Sequence, residues 1–488
     1  MIEIVKSSLI FRFIFSLCEK IGNQWRSSKI IRAFLNMKDE DSLTGASIFG
    51  KIGVKLRNIL STIFKTLRFD KIFNGSLLAR PFLWMLPAMA LAPIIPTMIL
   101  FGLISAGGIA TFIQMVIHRD KTLESAPVNR YVLLYAVMYI IATFMSVSVK
   151  GSLLPGLLTT VFVMSAFFVE NSIDSGYKLK AVIFAMICAG VLVSLYGFYQ
   201  YLFGAAGSNA WVDEDMFSGI GVRVYSTLQN PNVLSEYLLL IIPLSAACFF
   251  SADGLLKKSF YFCTSGIMCA CMLLTFSRAG WLGLIFAVVL FLILLDRRFI
   301  ILIVLGMFAV IAMAPDIIVE RFSSIGNMSD GSTSYRVAIW MGTIAMLKDY
   351  WLTGIGPGTE AFNDVYPAYS FNTATAQHSH NLFLQLFCDG GLCLFVIFVL
   401  MIIVFARMMC TAISKEQNRT ARIFQISSLA SIGGFLVQSM ADHSFYNYRV
   451  MCLFWIFIGL SAVFRRMGRY SHELAECKFL SERKKSVQ

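Results

Sequence analysis

The chain is predicted to be an all-α polytopic membrane protein with about twelve transmembrane helices. Three observations predict it. Of 488 residues, 57% are hydrophobic and 14% charged, against about a quarter charged in soluble domains. Apolar runs of the size that crosses a ~30 Å hydrocarbon core recur along the chain. Lysine and arginine divide unequally between alternate loops, as the positive-inside rule requires.

Residues 1–80 come first and carry fourteen of the 41 Lys and Arg. Apolar residues stand between the charges (Leu9, Phe11, Phe13, Ile14, Phe15, then Ile30, Ile31, Phe34, Leu35). This pattern predicts a cytoplasmic extension, partly helical, lying on the inner membrane surface and held by anionic lipid. Arg12 interrupts the first apolar run, so no cleavable signal peptide is expected.

Residues 81–465 form the transmembrane domain. Its spans are predicted near 83–99, 101–117, 131–149, 152–169, 181–203, 232–250, 259–276, 279–295, 299–314, 383–405, 423–440 and 448–464. The uncharged run 82–117 is too long for one helix, and Pro93, Pro96 and glycines 102, 107 and 108 suggest a hairpin of two. A turn at Ser277-Arg278-Ala279-Gly280 splits 259–295. The basic tail 466–488 closes the chain.

With both termini inside, the outside keeps seven of the 41 cations: Lys150, Arg223, Arg278, Arg321, Arg336, Lys348 and Arg449. An odd number of spans would invert half the loops and destroy that asymmetry. The net charge of +13 therefore reads as topology, and no nucleic-acid partner is expected. Eight cysteines fall in apolar runs, while Cys18, Cys410 and Cys477 lie in basic segments; neither a disulfide nor a metal cluster is expected.

Two outside loops are long, about 204–231 and 315–382. In the second, Val337, Trp340, Met341, Ile344 and Leu347 fall on one face of a helix from Tyr335 to Lys348. Such a helix beside a membrane should lie on the interface.

The residues that could carry chemistry sit on this outer side. Arg278 lies between two apolar helices, where a charge faces either the bundle interior or lipid phosphate. Arg336 starts the interfacial helix and either serves the site or pairs with Asp330 or Asp349. Arg223 opens a segment ending Asn230-Pro231-Asn232, whose asparagines suit a helix cap. His378-Ser379-His380-Asn381 stands at the mouth of the tenth span. A histidine there can act as a general base near neutral pH, and Asn381 is also placed to cap the helix.

Two motifs are weaker. Gly354-Ile355-Gly356-Pro357-Gly358 lacks the Lys-Ser/Thr and the strand of a phosphate loop, so a tight turn is expected. Asp213-Glu214-Asp215 imitates an acidic metal motif but is also ordinary for a solvated loop. Arginine matches phosphate bidentately. Several arginines beside a candidate base therefore suggest a lipid-linked phosphate or pyrophosphate substrate.

At these residues the chain resembles the O-antigen ligase and polymerase-like superfamily of bacterial membrane glycosyltransferases. The resemblance rests on Thr275 through Trp281, Arg223 through Asn232, Tyr335-Arg336 with Gly354 through Phe362, and His378 through Leu392. It covers about 200–450. It implies an inverting, metal-independent glycosyl transfer with no cofactor, from an undecaprenyl-pyrophosphate-linked glycan to an acceptor hydroxyl on a glycan or lipid-linked acceptor. It implies that Arg278 and Arg336 bind the pyrophosphate, that His380 takes or orients the acceptor proton, and that Arg223, His378 and Asn381 assist in binding. Where the family often has Glu in the tenth span, this chain has Cys388-Asp389. Other polysaccharide-assembly proteins are possible partners. The N-terminal extension and loops are also similar to the teichuronic-acid biosynthesis membrane protein of Gram-positive bacteria, which favours a polymerase. The rival class is a lipid-linked oligosaccharide flippase, whose charges should line a cavity midway along the helices.

Overall fold

A computed structural model describes residues 48–69, 79–117, 124–204, 222–313, 315–326 and 330–470, with isolated positions between 70 and 78. Most of the N-terminal extension, the Asp213-Glu214-Asp215 motif, Cys18, Cys477 and most of the tail lie outside the described residues. Among the described residues the chain is all-α and has no strand.

Helix α1 (Ile48–Thr66) lies in the basic N-terminal region and packs against α3 (Thr97–Ile117). Between them, α2 (Pro81–Leu91) is only 11 residues long. At 1.5 Å per residue it reaches about 16 Å, short of a hydrocarbon core. The predicted first span therefore ends early, because Pro93 and Pro96 sit in the turn that follows. Next come α4 (Asn129–Phe144), α5 (Val149–Ser172), α6 (Gly176–Phe203), α7 (Pro231–Ser251), α8 (Leu255–Leu274), α9 (Arg278–Leu295) and α10 (Phe299–Met313).

The large loop holds α11 (Asp316–Ser323), α12 (Gly331–Tyr350) and α13 (Thr359–Val365), then short 3-10 turns. The last three helices are α14 (Leu382–Lys415), α15 (Arg419–Ser439) and α16 (Tyr448–Arg465). Helices therefore occupy all twelve predicted runs. Eight of them are long and apolar enough to cross a membrane, and the protein is a multi-pass membrane protein.

The core lies where α7 and α16 run almost wholly buried through the bundle. Close approach depends on small residues. A Cβ on Gly283 would meet the Gly434 carbonyl, which brings α9 and α15 together at their backbones. Gly459 of α16 lies against the Ala166 carbonyl of α5 in the same way.

Helix α14 extends beyond its predicted end and is broken. Gly391 has φ 65 and ψ −162, a conformation open to glycine alone. The large loop supplies partners at the break. Leu392 N donates to Trp351 O at 2.9 Å and Ile355 N to Cys388 O at 2.7 Å. Gly354, Gly356 and Gly358 all have positive φ, so the glycine-rich segment is the tight turn that seats the loop on the broken helix. Asp389 is buried at this junction, accepting from Tyr139 Oη at 3.0 Å and Gln385 Nε2 at 2.9 Å.

Helix α12 has apolar residues on two sides. Ile339, Gly342, Thr343 and Met346 form its buried side, beneath which Tyr366 packs. From the predicted stripe, Met341 and Ile344 are exposed instead, and Trp351 and Leu352 are exposed beyond its end. The expected interfacial stripe is thus narrower than the sequence suggested, because a second apolar side seals the loop onto the bundle.

Candidate active site

The site is built where four segments meet: the α8–α9 turn, the segment entering α7, the loop entering α14 and the α15–α16 turn. Ser277 caps α9, its hydroxyl accepting from Gly280 N at 3.3 Å. That turn aims Arg278 at the large loop. Its two terminal nitrogens bind Asp330 side-on, at 2.8 and 2.9 Å, and one also reaches the Ser324 hydroxyl at 2.8 Å. Asp330 in turn caps α12 through Thr333 N at 2.9 Å.

Arg321 approaches the same carboxylate at 3.7 Å. All three are buried: Arg278 is 8% exposed, Arg321 5% and Asp330 0%. Burial by itself would raise the Asp330 carboxyl, but Arg278 outweighs it and holds the group below its ordinary range. Two buried cations thus share one anion.

Arg336 lies one to two turns into α12 and is partly buried. Its charge acts on Asp442 and His378. Arg223 donates Nε to Thr275 O at 2.9 Å and a terminal nitrogen to Asn232 Oδ1 at 3.2 Å. Burial, then repulsion from Arg321, Arg336 and Arg278, pulls its guanidinium down to about 9; it remains a cation at neutral pH. The four arginines therefore share one field.

Asn232 passes the connection on. Its amide nitrogen donates to Asp442 Oδ2 at 2.9 Å. Asp442 Oδ1 accepts from His443 N at 2.9 Å and faces His380 Nδ1 at 3.4 Å. Burial alone would raise the Asp442 carboxyl, but the His380 hydrogen bond and the charge of Arg336 keep it well below the usual carboxylate range. With Nδ1–H held by a carboxylate, the Nε2 lone pair of His380 is the free basic position. The His380 side chain is 25% exposed and that of Asp442 5%, so the base faces outward and its partner is shielded.

His380 is held in the left-handed region, with φ 47. Trp340 of α12 donates to its carbonyl at 3.3 Å, and His380 N donates to His378 Nδ1 at 3.3 Å. His378 stacks on Tyr446, ring centroids 4.9 Å apart. Burial, then the neighbouring His380, lowers the His378 imidazole to about 4, which fits its role as an acceptor. Asn381 caps α14, accepting from Phe383 N and Leu384 N at 2.9 and 3.1 Å, and its amide nitrogen donates to Met440 O at 2.6 Å. Among the described residues no three His, Cys, Asp or Glu side chains are arranged to hold a metal ion.

Backbone strain concentrates here. Ser226, Gln229, Phe276 and His380 all have positive φ, and each lies in one of the segments that the sequence singled out. Such strain costs about 1–3 kcal/mol per residue and persists where the surroundings enforce it.

The structure joins Arg223, His378 and His380 through Asn232 and Asp442. It ties Arg278 to Arg336 through Asp330 and α12. Asn381 is engaged as a cap. Asp442, Asp330 and Arg321 were not legible as site residues. Asp442 follows the fifteenth helix in a short turn, and an isolated acid there has no distinguishing local pattern.

These features define a site of clustered arginines and a carboxylate-held histidine on a multi-pass helical protein. Residues 263–399 match the family model described as O-Antigen ligase, so this stretch of the chain is similar to O-antigen ligases. The matched stretch runs from α8 into α14 and contains Arg278, Arg321, Asp330, Arg336 and His380, while Arg223 and Asp442 lie outside it. The family indicates a ligase- or polymerase-type glycosyltransferase of cell-envelope polysaccharide assembly, which acts on lipid-linked glycans in a membrane. No curated protein matches the chain.

Proposed function

We propose that the protein transfers a glycan from an undecaprenyl-pyrophosphate carrier to an acceptor hydroxyl at the outer face of the cytoplasmic membrane, by metal-independent inversion. The observation that carries this reading is the His380–Asp442 pair beside a cluster of arginines that includes Arg278 and Arg321. The acceptor O–H gives its proton to His380 Nε2. The oxygen bonds to the anomeric carbon from the face opposite the pyrophosphate, and the bond from that carbon to the pyrophosphate oxygen breaks. The leaving group departs as undecaprenyl pyrophosphate.

Arg336 is assigned the direct phosphate contact, because no side chain of the described residues bonds its guanidinium. Arg223 adds its charge while holding Asn232. Arg278 is engaged by Asp330, so its part is to anchor the start of α12 and add positive potential, and a pyrophosphate reaching it would share it with Asp330. Asp442 is a positioning residue that fixes the His380 tautomer. Both termini are assigned to the cytoplasm from loop charge.

The experiment is envelope glycan length in a deletion strain, complemented with wild type or His380→Ala, beside an assay of lipid-linked intermediates. Single repeat units accumulating on lipid outside the cell identify a polymerase. Full-length chains left on the carrier identify a ligase. Intermediates trapped inside would reject the reading in favour of a flippase.

A further inference from the structure

Ser379 stands between His378 and His380 and is buried. Its peptide nitrogen donates to Gln385 Oε1 at 2.8 Å, and its hydroxyl donates to Asn381 O at 2.9 Å. The two bonds bracket His380 and hold the loop in the turn that gives it positive φ. A strained residue keeps its conformation where its surroundings enforce it. Trp340 fixes the His380 carbonyl from α12, and Gln385 fixes the residue before it from within α14.

Gln385 is itself oriented. Its Nε2 donates to Asp389 Oδ1 at 2.9 Å, and Tyr139 of α4 donates to Asp389 Oδ2 at 3.0 Å. The i, i+4 spacing of Gln385 and Asp389 puts both on one face of the helix. A carboxamide has one donating end and one accepting end, so its two bonds are linked. Asp389 offers oxygens, which draws Nε2 to it and leaves Oε1 for Ser379 N. Ser379, Gln385 and Asp389 are all buried, where a lost bond strands a polar group away from water.

The far end of this chain is the break in α14. Asp389 lies between Cys388, whose carbonyl accepts from Ile355 N at 2.7 Å, and Gly390, where the helix leaves its regular path. The seat of the large loop and the segment that carries His380 thus meet on one buried carboxyl group.

We infer that Asp389 and Gln385 are positioning residues for His380: Asp389 sets the orientation of the Gln385 carboxamide, and Gln385 holds the backbone at Ser379 so that the imidazole stays on Asp442. Both act through Ser379 and not on substrate. The kinetic consequence rests on the proposed glycan transfer with His380 as base; the placement of the imidazole does not.

The test uses the full-length protein in nanodiscs with two readouts. One is single-turnover transfer from a lipid-pyrophosphate-linked glycan, with donor binding measured separately. The other is the rate at which diethylpyrocarbonate modifies His380, read on its peptide by mass spectrometry, which needs no glycan. Gln385→Leu should lower transfer by about 10²-fold, the cost of a ~1 Å misplacement. It should leave donor affinity unchanged and shift the His380 modification rate severalfold. Asp389→Leu should do the same. Asp389→Asn should restore both readouts, because its Oδ1 still accepts from Gln385 and its NH2 donates to Tyr139 Oη. Tyr139→Phe leaves both links to Ser379 in place and should lower the unfolding temperature without moving either readout. Where Gln385→Leu does not fold, Gln385→Asn takes its place, one methylene too short to reach both Ser379 and Asp389. A folded Gln385 variant whose His380 is modified at the wild-type rate would overturn the inference. So would an Asp389→Asn protein that behaves as Asp389→Leu, or an equal shift in Tyr139→Phe. Absence of transfer by the wild-type protein would reject the glycan reading instead, and the modification rates would still decide the positioning.

Discussion

Replacing Asp442 by Asn keeps the shape of the site and removes the shielded charge beside His380. The carboxylate faces His380 Nδ1, accepts from Asn232 Nδ2 at 2.9 Å and accepts from His443 N at 2.9 Å. With its oxygen at the Oδ1 position the amide can still accept from His443 N and His380 Nδ1, but it carries no charge, and its NH2 group meets the Asn232 amide nitrogen. The imidazole then loses the carboxylate that stabilises it when it takes up a proton on Nε2. General-base catalysis is worth roughly 10²–10⁴ in rate, about 2.7–5.5 kcal/mol of barrier. Asp442→Asn should therefore lower single-turnover transfer by about 10²–10⁴-fold, with little change in donor affinity.

The assay is transfer from a lipid-pyrophosphate-linked glycan by protein in nanodiscs, with donor binding measured separately. Asp442→Ala would add instability, because Asn232 and His443 N lose a buried acceptor at about 1–3 kcal/mol each. A folded Asp442→Asn protein that transfers within about threefold of wild type would refute the assignment of His380 as the base held by Asp442.

Arg336→Ala should abolish or strongly weaken donor binding while leaving the unfolding temperature close to wild type; a large fall in that temperature would instead mark Arg336 as structural. Arg278→Ala behaves differently, because removing one partner of a buried pair costs about 3–5 kcal/mol. It should lower the unfolding temperature as well as transfer. Gly391→Ala should destabilise the protein and loosen the large loop, since a Cβ there meets the Leu352 carbonyl and the backbone has positive φ; limited proteolysis within 351–380 reads it. The His378 imidazole titrates near 4 in the folded protein and near about 6.5 in an unfolded chain. The unfolded state therefore binds the extra proton between those values. The stability that His378 contributes is complete above about pH 6.5 and is lost as pH falls toward 4, a slope in unfolding temperature that His378→Gln should flatten.

Hydrophobic run length and cation placement determined, from sequence alone, that the chain is all-α and polytopic, because burial of backbone polar groups in lipid leaves helices as the economical local solution. They also located all twelve runs that the helices occupy. Two helix breaks fell inside predicted spans and were placed only by the structure: α2 ends before Pro93 and Pro96, and α14 kinks at Gly391. Arg278, Arg336, Arg223 and His380 stood out because charge and imidazole at the predicted ends of apolar helices have no packing purpose. Their partners did not stand out. Asp330 lies 52 residues from Arg278, and Asp442 lies 62 from His380 and 210 from Asn232. Those pairings depend on how the large loop seats on the break in α14 and on how α7 packs against α15. A carboxylate's function is set by the groups within a few ångströms of it, and only the folded chain brings those groups together.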